Sequence, residues 1–105
     1  MIFMYDFKKF CSTVDDLKSS NIQLKLFGQM EEKFSGSYAG FDTPPNNTLS
    51  IHIVALTSIG TFYCQEGIKF KDSDSVENAK KSFESLSVSQ ADVSFDKETG
   101  CITFK

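Results

Sequence analysis

Arginine and tryptophan are absent from this 105-residue chain, histidine occurs once and proline twice. Arginine is the side chain whose planar fork grips carboxylates, phosphates and guanine edges two bonds at a time. Here all eleven basic residues are lysine, fourteen acidic residues oppose them, and the net charge is −3. An acidic surface without arginine is a poor binder of phosphate and nucleic acid. A single histidine, His52, excludes any mechanism that needs a histidine pair. No apolar run approaches the ~20 residues of a membrane span. Residues 1–10 mix Asp6, Lys8 and Lys9 with apolar side chains and so lack the apolar core of a signal peptide.

The cysteines exclude more. Cys11, Cys64 and Cys101 are odd in number, widely spaced and without a CxxC pair. They suit neither a disulfide framework nor a four-ligand zinc site. The expected location is cytoplasmic, where the glycosylation acceptor at Asn46-Asn47-Thr48 carries no meaning. Cys11 and Cys64 lie among apolar residues and read as small core fillers, whereas Cys101 is the thiol most open to reagents.

Phosphate-cradling and nucleophile-elbow glycine patterns are also missing. Asp72, Asp74 and Glu77 begin like a calcium loop. Glu77 then stands where that loop needs glycine, and Phe83 stands where it needs a bidentate glutamate. No cofactor, metal site or catalytic residue is therefore expected, and the chain reads as a non-enzyme.

What is present is ample apolar material: 40% of residues, including eleven Phe. Each fully buried Phe contributes roughly 1.5–3 kcal/mol, and the length suits one domain over residues 1–105. Phe7, Phe10, Cys11, Val14 and Leu17 recur at helical spacing within residues 6–20, with Asp6 as cap. Ile22, Leu24 and Leu26 then alternate as a strand. Gly28-Gln29 offers a turn into a charged edge segment at 30–34. Residues 49–56 are nearly all apolar, as in a central strand covered on both faces. Residues 57–60 turn the chain into a partner strand, with a bulge expected at Gly67.

Asp74 and Glu77 open a second helix carrying Val76, Ala79, Phe83 and Leu86. A final hairpin closes across residues 97–100. A four-residue loop there sets Phe95 opposite Ile102 and Val93 opposite Phe104, all four on one face, with Ser94 and Thr103 on the other. The expected class is α+β: one antiparallel or mixed sheet of 5–6 strands with two packed helices, in the order α-β-(β)-β-β-α-β-β.

Recognition by shape remains. Residues 35–47 form the longest irregular segment and carry Tyr38, Phe41, Pro44 and Pro45 among glycines. Large apolar side chains on a long loop mark a partner-binding segment. The expected function is a small non-enzymatic protein-binding module: a binder, inhibitor or adaptor, of the kind found among phage and mobile-element accessory proteins. Its partner is another protein, and a homodimer is among the options. Nucleic acid is a weaker alternative, because Asp72, Asp74, Glu77 and Glu84 interleave with Lys69, Lys71, Lys80 and Lys81, with Tyr63 or Phe70 as stacking rings. In element order and acidic balance the chain also resembles class I type III secretion chaperones. That resemblance implies a dimer that binds unfolded effector segments.

Overall fold

A computed structural model describes residues 2–33 and 47–105. They form β1 (Ile2–Tyr5), α1 (Phe7–Ser19), β2 (Leu24–Lys33), β3 (Thr48–Thr57), β4 (Gly60–Lys69), α2 (Ser73–Leu86), β5 (Ser89–Gln90), β6 (Val93–Phe95) and β7 (Ile102–Phe104). Strands β1 to β5 make one mixed sheet in the order β1-β4-β3-β2-β5, and β6 with β7 makes a separate two-stranded sheet. The α+β class is that expected from the sequence, and so is the order of helices and strands from α1 onward, apart from the two-residue β5.

Helix α1 forms where its apolar stripe and its cap coincide. The Asp6 carboxylate accepts from the Lys9 amide at 2.7 Å, and Phe7, Phe10, Val14 and Leu17 are buried. Asn21 takes the left-handed exit at φ 59°. A second cap comes from far along the chain: the Glu66 carboxylate accepts from the Phe7 amide at 2.9 Å. Helix α2 begins at Ser73 with Asp72 as its capping residue, and Asp74 lies in its first turn rather than at the cap. Both helices cover one face of the sheet, over Leu26, Ile51, Ile53, Ala55, Phe62 and Cys64.

Three local expectations change. Residues 2–5, assigned no element from the sequence, form β1, which runs parallel to β4. Gly28 does not turn the chain: β2 runs through it and pairs with β3 over ten positions, Leu24↔Thr57 to Lys33↔Thr48. Gly67 does not bulge either, because it pairs in register with Ser50.

The terminal hairpin has the expected register, Val93↔Phe104, Ser94↔Thr103 and Phe95↔Ile102. In its loop the Asp96 carboxylate accepts from the Glu98 amide at 2.9 Å, and Gly100 has φ 73°. Burial of its apolar side tapers. Val93 is buried, Phe95 and Ile102 are half-buried, and Phe104 is 45% exposed.

Candidate binding surface

Strands β3 and β4 are joined by two residues, Ser58 and Ile59, with Thr57 opposite Gly60. Directly opposed residues of an antiparallel pair share a face. Ile53 and Cys64 therefore point toward the helices, and His52, Val54 and Tyr63 point to the far face. A Cys64–His52 pair, for nucleophilic attack or for a shared metal, is excluded by that geometry.

Among the described residues, what covers the far face lies over its middle. The β6–β7 hairpin lies on it, packing Val93 with Val54 and Tyr63, while Phe27, Ala91, Phe95 and Ile102 close in around them. Phe95 tilts against Tyr63 at 5.3 Å between ring centroids, and Phe104 meets Phe27 edge-on at 5.5 Å. Met4 (44%) and Leu56 (37%) on this face, Ile59 (61%) in the β3–β4 turn and Phe104 (45%) on the hairpin itself are exposed. The register places Met4 beside Tyr63 and Leu56 beside Thr61 on the same face.

His52 is engaged by the fold. Its Nδ1 lies 3.1 Å from the Tyr63 hydroxyl. Burial, followed by the nearby Lys33 charge, pushes its pKa below the usual histidine value. A backbone hydrogen bond with Val93, together with Asp92 and Glu31, opposes the shift without reversing it. The imidazole is thus neutral at pH 7, and its Nδ1 is engaged with the tyrosine hydroxyl rather than free for a substrate. Next to it, the Gln29 amide donates to Asp92 at 3.4 Å, joining β2 to the start of the hairpin.

A histidine whose folded-state pKa is depressed takes up a proton on unfolding, so its contribution is fully present above the unfolded value of about 6.5 and is lost as pH falls. Thermal unfolding between pH 7 and pH 5 should show a fall in melting temperature. His52→Gln should lack the part of that fall above the carboxylate range. Identical pH profiles for the two proteins would contradict this role.

The remaining candidates of the sequence separate. Burial, then Asp15 and Glu66, pushes the Cys11 thiol up to about 11. Burial and Glu66 push Cys64 higher still. Both are thiols rather than thiolates at neutral pH, which suits their packing role. Cys101 is exposed, and all three are free. Asp72, Asp74 and Glu77 are exposed around the start of α2, and among the described residues no three His, Cys, Asp or Glu side chains group as metal ligands. Tyr63 is 1% exposed and so cannot stack on a base. Lys80 is bonded to Glu32. Among the described residues no helix is long and apolar enough to cross a membrane.

Tyr38, Phe41, Pro44 and Pro45 lie outside the described residues. Their attachment points are fixed. Lys33 pairs with Thr48 at the last rung of β2–β3, and the Asn47 carbonyl accepts from the Phe70 amide at 3.1 Å. The exposed apolar residues of the far face and the cap from Glu66 are the features that sequence reasoning missed. Comparison with family models, with curated proteins and with solved structures found no match to this chain.

Proposed function

We propose that this chain is a small, cytoplasmic, non-enzymatic protein-binding module: a binder, inhibitor or adaptor for another protein. One observation carries the reading. Among the described residues, Met4 and Leu56 on the far face, Ile59 in the β3–β4 turn and Phe104 on the covering hairpin are exposed, and apolar surface left open in this way is what partners cover. The sole histidine is held by Tyr63, and the charge of −3 without arginine disfavours phosphate-bearing partners. The aromatic segment with Tyr38, Phe41, Pro44 and Pro45 is the proposed anchor, with its ends held at one end of the sheet by Lys33 and Thr48.

Affinity capture from the native host, followed by mass spectrometry and titration of the purified partner, tests this. A stoichiometric complex with one protein is the expected result. Saturable turnover of a small molecule, or a nucleic-acid complex surviving physiological salt, would replace the reading. A chaperone like those of class I type III secretion is the second reading, favoured by the run α1-β2-β3-β4-α2 followed by a strand pair. Under that reading the captured partner is a non-globular segment. An inhibitor or adaptor captures a folded protein.

A further inference from the structure

We propose that the margin of β2 at residues 24–26 receives an extended acidic segment of the protein partner, laid along β2 as an added strand with its carboxylates against Lys18 and Lys25. The inference rests on the protein-binding reading and gives it a second contact, at the other end of β2 from the aromatic anchor. A cleft of about 310 Å³ lies here, and Leu24, Lys25, Leu26 and Phe27 follow one another in its wall. Neighbours along a strand point to opposite faces. A cavity touching four in a row therefore lies against the edge of the strand rather than on either face. The exit from α2 adds Leu86 and Ser87 to the lining, and the last turn of α1 adds Lys18. The volume is at the lower end of ligand clefts, roughly 300–1,000 Å³, and suits a few extended residues rather than a folded surface.

The backbone is oriented for strand addition. Gly28 directs its carbonyl away from β3, where it accepts from the Ala91 amide at 2.9 Å. Alternation gives Leu26 and Leu24 the same orientation, so their N–H and C=O groups point to this margin. β5 takes up the margin at Phe27 and Gly28, and the cleft continues from there toward Leu24. It lies nine residues, roughly 30 Å of strand, from Lys33, where residues 34–46 join. Peptide groups along an edge give affinity in strand addition, and pockets for alternate side chains give specificity.

Charge selects the occupant. The two charged side chains that line the cleft are both lysines, in a chain whose net charge is −3. Lys25 is on the far-face side of β2 and Lys18 at the end of α1 on the helix side, so an ammonium stands on each side of the margin. Between them Leu24, Leu26 and Leu86 offer an apolar floor. A second cleft, of about 410 Å³, shares Leu24 and Lys25 and adds the exposed Leu56. The matching segment alternates acidic and apolar residues. A second copy of this chain fits poorly, because its own β2 margin would set lysine against lysine.

Amide correlation spectra of the full chain, titrated with a short peptide of alternating glutamate and valine, test this. The amides of residues 24–27 and 86–89 should shift saturably, and added salt should weaken the binding. Both lysines are exposed, and the double variant Lys18→Gln, Lys25→Gln should lose about threefold or more in affinity, as two exposed ion pairs give. Lys69→Gln, Lys71→Gln makes the same charge change beyond the far end of β4 and should bind as wild type does. Four results would each overturn the site: no saturable shift up to about 1 mM peptide, shifts confined to other residues, undiminished affinity in the Lys18, Lys25 variant, or equal binding of a peptide with lysine for glutamate. Octanoate shifting the same amides at lower concentration than the peptide would also overturn it, in favour of a small amphipathic carboxylate. The protein-binding reading is judged separately, by affinity capture. A captured protein that binds the Lys18, Lys25 variant as tightly as wild type refutes this site alone, whereas capture of nucleic acid in place of a protein refutes the reading itself.

Discussion

Gly28→Ala should destabilise the protein by about 3–5 kcal/mol, among the largest effects expected of a single methyl group. Gly28 lies within β2, opposite Ile53 of the central strand. A Cβ built on it would stand 2.1 Å from the His52 carbonyl oxygen and 2.7 Å from the Ile53 Cα. Both obstacles are backbone, and β3 is held by ladders on each side, to β2 and to β4. It cannot retreat without breaking one of them. The Gly28 carbonyl also accepts from the Ala91 amide at 2.9 Å, so the approach to the terminal hairpin is strained as well. Gly67→Ala is the control: nothing lies within 4 Å of its Cβ. It should be neutral or stabilising by up to about 1 kcal/mol. Urea midpoints of the two variants should therefore move apart. A Gly28→Ala protein as stable as wild type would show that β2 and β3 do not approach so closely.

Phe10→Ala is the second large effect. Phe10 is fully buried in the cluster that joins α1, α2 and the helix-facing side of the sheet. Removing a buried phenyl ring costs the transfer of its apolar area plus the cavity it leaves, about 3–5 kcal/mol. A domain of this size has a total stability of roughly 5–15 kcal/mol, so the variant should have a much lower melting temperature or be unfolded at 37 °C. Phe104→Ala should cost far less, because that ring is 45% exposed. Equal losses at the two positions would contradict the assignment of the core to the helix side.

These contrasts also show what the sequence disclosed. Period and capping are local properties, and they placed α1, the β3–β4 pair and the register of the last hairpin, where a one-residue slip would have moved Val93 and Phe95 to the solvent side. What escaped depended on neighbours distant in the chain. β1 is four residues long, too short to show periodicity, and it pairs with β4, some sixty positions away. Gly28 looked like punctuation because a turn and a close backbone approach both call for glycine. Gly67 looked like a bulge for a similar reason.

The covered and open parts of the far face were not legible. Alternation marks which residues share a side but not where a hairpin settles on that side. His52 could be argued not to face Cys64 from loop parity alone. That it bonds the Tyr63 hydroxyl required the fold. Tyr38, Phe41, Pro44 and Pro45 remain an argument from composition.

The central claim is recognition of a protein through an aromatic anchor on this scaffold. The most direct measurement is calorimetric titration of the captured partner with wild type and with the Tyr38→Ser, Phe41→Ser double variant, alongside urea unfolding of both. The account predicts a loss of more than about 2 kcal/mol in binding, roughly thirtyfold, as interface anchors give. The urea midpoint should stay near that of wild type. Undiminished affinity in a folded double variant would contradict it, and unfolding of the variant would place both rings in the core and the binding surface elsewhere.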